Sequence, residues 1–389
     1  MEELMLFDLV SPCHFGLEAV LKRELTALGV EITRVEDGRV YYRGDESVIA
    51  RANMFLRTTE RVLLVVGEFK AITYDELFEA VKALSWEEIM PGDANFFVTK
   101  AASIKSALFS PSDIQRIVGK AIVEAMKRRY RVERFSKSGA EYPVRVTINK
   151  DRVTVSIDTS GESLHKRGYR KLTAKAPITE TLAAAILMLT PWKADRILVD
   201  PFCGSGTFPI EAAMIGANIA PGRNRTFAAQ DHIYVSQKAW KNALEEATDL
   251  EKRNIEMNLQ GYDIDGEIIK AARQNAKLAG VDGYIHFQQR DMRELSSQKQ
   301  YGFIVTNPPY GERLEEKAAL PHLYKAMGEV FANLTNWSYF FITSYEDAEK
   351  YFGRKADKNR KIYNGMIKTY LYEYYGPKPP KHAAAVQSS

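Results

Sequence analysis

Apolar positions along this chain follow two different rhythms, and the change from one to the other marks its organisation. Over residues 1–60 a helix-period stretch, Gly16-Leu-Glu-Ala-Val-Leu-Lys-Arg-Glu-Leu25, alternates with short β-rich pieces such as Gly38-Arg-Val-Tyr-Tyr-Arg43, which predicts a small α+β unit. Between residues 60 and 156 the pattern returns in a larger form. It predicts strands at Val62–Val66 and Phe96–Lys100, helices at Tyr74–Leu84 and Ser112–Arg129, and a hairpin of Tyr142–Ile148 with Arg152–Ile157 about the turn Asn149-Lys-Asp151. Strands and helices mixed in this order imply α+β and not a doubly wound sheet. Residues 159–177 mix Gly, Ser and basic residues and read as a junction. Beyond it, short apolar runs at Ile197–Val199, Phe303–Val305 and Tyr339–Ile342 alternate with helical patterns such as Ile268–Ala279. Buried parallel strands have this texture, so the C-terminal half is expected to be a doubly wound α/β domain, with Leu371–Tyr375 as a last strand. Residues 378–389 are expected to be a disordered tail.

Composition narrows the choices. A chain of 389 residues with 45% hydrophobic content is long enough for two or three cores. The N-terminus carries acidic residues where a signal peptide would be basic, no apolar run approaches the roughly 18 residues of a membrane helix, and the cytoplasm is the expected compartment. Two cysteines, Cys13 and Cys203, are too few for a disulfide framework or a cysteine-rich zinc site, so no metal is expected. The net charge of +4 is compatible with a nucleic-acid partner. Positive charge gathers in Lys127-Arg-Arg-Tyr-Arg131 and His165-Lys-Arg-Gly-Tyr-Arg-Lys171, either RNA-facing runs or solvated faces.

Chemistry enters with polar residues that each follow an apolar strand: Asp200, Asp263, Asp291 and Asn307. In open α/β sheets ligands bind beyond the carboxyl ends of the strands, so these four are expected to line one crevice. Asp200-Pro-Phe-Cys-Gly-Ser-Gly-Thr207 joins a strand to a helix, and Gly204 and Gly206 permit a tight turn and close approach of a ligand. It lacks both the third glycine of a dinucleotide fingerprint and a P-loop lysine. Asp263 can accept from ribose hydroxyls with Ile264 against an adenine face, unless Asp263 or Asp265 caps the next helix. Asp291 stands where an adenine amino group would be held, or is another cap. Together these describe an adenosine-like ligand without phosphate, which fits S-adenosylmethionine. Asp263 lies further from Asp200 than one βαβ unit allows, so 217–248 must be an insertion.

Thr306-Asn-Pro-Pro-Tyr310 is the most specific signal. Two prolines stiffen the backbone so that the Asn307 side-chain oxygen and the Pro308 carbonyl point to one spot. An exocyclic base amine is a poor nucleophile because its lone pair is delocalised. Two acceptors on its hydrogens favour the pyramidal nitrogen that attacks a sulfonium methyl. Tyr310 can stack on an extruded base, contributing roughly 1–3 kcal/mol. The bland alternative is a strand-ending turn. Cytosine-C5 chemistry is disfavoured because neither cysteine sits in this loop.

These residues resemble the THUMP-domain class I RNA methyltransferases, in particular the branch that methylates guanine N2 in 23S ribosomal RNA. The likeness rests on Phe15-Gly-Leu-Glu18 with Glu24-Leu-Thr-Ala-Leu-Gly29, on residues 60–157, on His165–Arg170 with Ala176–Ala183, on Asp200–Gly206, and on Asn307-Pro-Pro-Tyr-Gly-Glu-Arg313. It implies a ferredoxin-like domain at 1–59, a THUMP RNA-binding domain at 60–158 and a Rossmann-like class I methyltransferase domain at 159–377. It also implies a cofactor site of Asp200, Cys203, Gly204, Gly206, Thr207, Asp263, Ile264, Asp291 and Asn307, catalysis by Asn307, Pro308 and Tyr310, and an RNA partner. Glu312 is a candidate acceptor for the guanine N1 hydrogen. Competing readings are a tRNA guanine or adenine methyltransferase, a DNA adenine-N6 methyltransferase, and a non-catalytic RNA-binding factor.

Overall fold

A computed structural model describes residues 5–131, 136–170, 178–311, 314–365 and 367–380. In chain order the strands and helices are β1 (Phe7–Pro12), α1 (Glu18–Ala27), β2 (Glu31–Glu36), β3 (Arg39–Gly44), α2 (Glu46–Phe55), β4 (Leu63–Lys70), α3 (Tyr74–Lys82), β5 (Asn95–Ile104), α4 (Pro111–Tyr130), β6 (Glu141–Asn149) and β7 (Arg152–Asp158). There follow α5 (Glu180–Leu189), β8 (Leu198–Asp200), α6 (Thr207–Gly216), α7 (Gln237–Asp249), β9 (Leu259–Asp263), α8 (Gly266–Ala279), β10 (Ile285–Gln289), β11 (Phe303–Thr306), α9 (Leu314–Ala332), β12 (Ser338–Thr343), α10 (Ala348–Phe352), β13 (Lys358–Asn364) and β14 (Ile367–Tyr374). Two compact units result: Met1–Cys13, Leu21–Leu164 and Gly222–Asp249 in one, and His14–Val20, His165–Pro221 and Leu250–Ser389 in the other.

The first unit is built on a single seven-stranded sheet, ordered β2-β3-β1-β4-β7-β6-β5. The boundary expected near residue 59 falls inside this sheet, because β1 pairs antiparallel with β4 at Leu9↔Leu64 and Val10↔Leu63. The hairpin turn forms as the sequence predicts, with Lys150 and Asp151 in left-handed conformation. Helix α3 begins with a capping box in which the Thr73 side chain and Glu76 exchange hydrogen bonds. The segment Gly222–Asp249, most of the expected insertion, joins this unit. His232 stacks on Tyr142 with ring centroids 4.1 Å apart, and its Nε2 lies 2.8 Å from the Glu141 carbonyl. Arg51 binds Glu246 at 2.7 Å, tying α2 to α7.

The second unit is the doubly wound α/β domain, its sheet ordered β10-β9-β8-β11-β12-β14-β13. The strands from β10 to β12 pair in parallel, and β14 and β13 close the edge antiparallel. The central strands are buried on both faces, as their unbroken apolar runs predict: every residue of β11 and β12 is buried. Leu17 and Val20 join Leu182, Ile186, Phe208 and Phe340 in this unit's core, so a stretch from the beginning of the chain completes the α/β domain.

Candidate cofactor and substrate site

The carboxyl ends of β8, β9 and β11, together with the turn after β10, converge on one cleft of about 940 Å³. The reversal of strand order between the parallel neighbours β8 and β11 at the middle of the sheet opens it, because the crossover connections leave on opposite sides there. Of the expected cofactor residues, Asp200, Cys203, Gly204, Thr207, Asp263, Ile264, Asp291 and Asn307 all line it, as do Pro308 and Tyr310. Gly206 is not in the wall. It turns the chain with φ +90° as the N-cap of α6, and a β-carbon there would come within 2.9 Å of Phe287.

The glycine loop is held from several directions. The Asp263 carboxylate accepts from the backbone N–H of Gly204 at 3.1 Å and of Asp265 at 3.0 Å. The buried Asn275 amide donates to the Ser205 carbonyl at 3.1 Å. Thr306, ending β11, donates through Oγ1 to Asp200 Oδ1 at 2.5 Å and so joins the two central strand ends. Burial pushes the Asp200 carboxyl up to about 7, and burial also raises that of Asp263. Cys203 is buried and its thiol is raised well above the ordinary range for the same reason, so it serves as packing and not as a nucleophile.

Of the capping alternatives, Asp265 is the N-cap of α8, accepting from Glu267 N–H at 2.9 Å. That leaves Asp263 free for the cleft. Asp291 both caps a short turn and binds Arg293 at 2.6 Å, which holds its carboxyl below the usual range. Ile264 is 66% exposed and lines the cleft, an apolar side chain turned to its opening.

The basic run 165–171 does not face RNA at Arg167 or Arg170. Arg167 is buried and pairs with Glu211 at 3.4 Å, and Tyr169 donates to the same carboxylate at 3.0 Å. Arg170 binds Glu180 at 3.1 Å and donates to Thr207 Oγ1 at 2.6 Å, at the start of α6. The local sequence showed the charges; their carboxylate partners are supplied by α5 and α6. Lys171 and Glu312 lie outside the described residues.

In the second loop the Tyr310 hydroxyl donates to Asn307 Oδ1. Residues that sequence reasoning missed include His322, Leu323 and Ala326 on α9 and Asn364, Gly365 and Ile367 at the β13–β14 turn, all in the cleft wall. Their contribution comes from elements that fold back onto the site, and no local motif announces them. Among the described residues no cluster of His, Cys, Asp and Glu could hold a metal.

The donor set suits S-adenosylmethionine. A glycine turn without lysine, the buried Asp200, the partly buried Asp263 and an exposed isoleucine offer acceptors for ribose hydroxyls and for a cation, and Arg293, the arginine of the wall, is already paired with Asp291. Asp200, Gly204, Asp263 and Asp291 would hold the nucleoside, and when bound it supplies an electrophilic methyl group.

Comparison with known proteins agrees. Residues 167–373 match the RMKL-like methyltransferase domain, 8–63 the RlmL ferredoxin-like domain and 71–158 the THUMP domain. YpsC of Bacillus subtilis (strain 168), named as a candidate RNA methyltransferase, is 44% identical over 96% of this chain and 97% of its own. The ribosomal RNA large subunit methyltransferase K/L of Syntrophotalea carbinolica is 35% identical over 92% of this chain, which spans 52% of that longer protein. A crystal structure of a candidate methyltransferase with S-adenosylhomocysteine superposes with a TM-score of 0.91 at 43% identity, covering 96% of this chain and 99% of the other. The chain therefore belongs to the THUMP-domain class I RNA methyltransferases, and its cofactor is S-adenosylmethionine.

Proposed function

We propose that the chain methylates the exocyclic N2 amine of a guanine in RNA, with 23S ribosomal RNA as the substrate. The names of the relatives support RNA, and those of the K/L type support the large-subunit RNA. The observation that carries the chemistry is the placement of Asn307 and Pro308 in the wall of the same cleft as Asp200, Gly204 and Asp263. The Asn307 carboxamide oxygen and the Pro308 carbonyl accept the two amine hydrogens. This raises electron density on nitrogen and orients its lone pair at the methyl carbon. As nitrogen bonds to carbon the carbon–sulfur bond breaks, and the nitrogen then sheds one proton to water. No side-chain base is required, because the product sulfur is neutral and the transient ammonium is strongly acidic. The arriving amine takes the place of the Tyr310 hydroxyl on Asn307, and the freed ring stacks on the base.

The test is methyl transfer from labelled cofactor to total RNA and to DNA from a strain lacking the protein, followed by nucleoside mass spectrometry. N2-methylguanosine in large-subunit RNA is expected. N6-methyladenine in DNA, or label in tRNA alone, would replace this reading.

A further inference from the structure

Beside the cofactor cleft lies a second cavity of about 650 Å³ that shares Tyr310, Gly311 and Ile367 with it. Its other walls are Lys317 and Leu320 from α9 and the loop Ser344–Asp347 that follows β12. Strands β11 and β12 are parallel neighbours, with Thr306 opposite Phe341, so this loop leaves the sheet beside the one that carries Asn307. The loop is held in place: the Tyr345 N–H donates to Thr343 Oγ1 at 3.1 Å, and the Tyr345 ring sits 5.2 Å from that of Tyr324 and 6.2 Å from that of Tyr351. Tyr324 in turn donates to Thr343 at 2.6 Å. Gly311, with φ +74°, brings the second loop so close to α9 that a β-carbon would lie 3.0 Å from Lys317 Cα.

Glu346 and Asp347 line this cavity. Asp347 is the N-cap of α10, yet its side chain makes no capping bond. Neither carboxylate has a hydrogen bond or ion pair among the described residues. The cavity thus offers an aromatic wall shared with the methyl-transfer site, one ammonium donor and two exposed carboxylates on its rim, of which Glu346 also feels the Lys368 ammonium. The carboxylates disfavour phosphate. The Watson–Crick edge of guanine presents an acceptor at O6, a donor at N1 and donors at N2, whereas adenine presents a donor at N6 and an acceptor at N1. An extruded base is read through this edge.

Resting on the guanine reading above, we propose that the second cavity receives the extruded purine and selects guanine. Lys317 donates to O6, and the Glu346–Asp347 pair accepts from N1–H, while Asn307 and Pro308 hold N2. An adenine in this place sets its N1 lone pair against carboxylates and its N6 amine against an ammonium.

The experiment uses the full chain and two forms of an RNA fragment spanning the methylated position, one with guanine there and one with 2-aminopurine, which keeps the N2 amine but lacks N1–H and O6. Wild type is expected to favour guanine by roughly tenfold to a hundredfold in kcat/KM, the scale of one good base-edge contact. In E346Q/D347N that preference is expected to fall at least severalfold, through guanine KM, and K317M is expected to act in the same direction. Calorimetric titration with S-adenosylhomocysteine reports on folding and is expected to be unchanged. Equal use of both RNAs by wild type, or full guanine preference in the double variant, overturns the proposal. Methylation of adenine by wild type, or of neither RNA, overturns the guanine reading itself and this proposal with it.

Discussion

The loops that follow β8 and β11 sit at the same ends of adjacent parallel strands, yet they are made rigid in opposite ways. Asp200–Gly206 contains two glycines with positive φ, at +50° and +90°, and its shape is imposed from outside by Asp263, Asn275, Thr306 and the helix start that Arg170 supports. Thr306–Gly311 carries its own stiffness in Pro308 and Pro309. A cofactor wrapped by backbone needs glycine, and glycine costs conformational entropy that distant contacts must offset. An amine needs only two oxygens at a fixed angle, which proline fixes locally. Damage to the first loop should therefore arise from remote residues and appear in stability and cofactor affinity. Damage to the second should be local and appear in turnover.

The largest effect is expected from Arg170→Met. It leaves Glu180, whose side chain is 3% exposed and whose carboxyl burial already raises, without the cation in contact with it. Breaking a buried pair in this way costs about 3–5 kcal/mol, and chemical denaturation would measure it. Cofactor affinity should fall with it, since Thr207 loses its donor. A fully stable variant that binds S-adenosylhomocysteine normally would mean that the first loop is as self-sufficient as the second. Next in size is Asn307→Ala, expected to lower kcat by roughly 10²–10³-fold, as removal of one preorganised polar group does elsewhere. Its affinity for S-adenosylhomocysteine should hardly change. A parallel loss of both would make Asn307 a support for the cofactor loop.

The contrast between the loops also explains how much was legible in the sequence. The second loop was readable because Asn307, Pro308 and Tyr310 are contiguous and bring their own constraint. For the first, Asp200, Gly204 and Asp263 were visible as residues after strands, but the props were not. Arg167 and Arg170 looked like part of a basic surface because Glu211 lies far along the chain and Glu180 belongs to a separate helix. The run Lys127–Arg129 looked the same and ends α4 on the surface, with Arg128 and Arg129 exposed. Only the presence of a buried carboxylate distinguishes the two, and that is a long-range fact. The insertion was found, but its attachment to the first unit was not, since His232 and Tyr142 meet although they are 90 residues apart in sequence. The sheet of that unit, continuous through residue 59, was likewise hidden because β1 pairs with both β3 and β4.

A middle-sized effect tests the outside support through pH. Burial pushes the Asp200 carboxyl up to about 7 in the folded chain, against an ordinary value near 4. The folded state thus holds this proton more tightly than the unfolded one. The stabilisation is complete below about pH 4 and is lost as pH rises through about 7. Between pH 5 and 8 the ligand-free protein should lose about 2.5 kcal/mol relative to Asp200→Asn, which lacks the titration. Parallel profiles for the two proteins would place the carboxyl in water and remove one anchor of the first loop.

The smallest effect is the finest test of the division. Each Asp263 oxygen accepts one backbone N–H of the fold and retains a second lone pair for a ribose hydroxyl. In Asp263→Asn one of those oxygens becomes an NH₂ group that meets either the Gly204 or the Asp265 N–H. The turn should shift slightly and lose one acceptor for the cofactor. A single net hydrogen bond is worth about 1 kcal/mol, so the KM for S-adenosylmethionine should rise several- to tenfold. At saturating cofactor, kcat should stay within a factor of about two, because Asn307 and Pro308 hold the amine without help from β9. If kcat fell while the cofactor KM did not, the glycine turn would be setting the angle of attack, and the two loops would be one device.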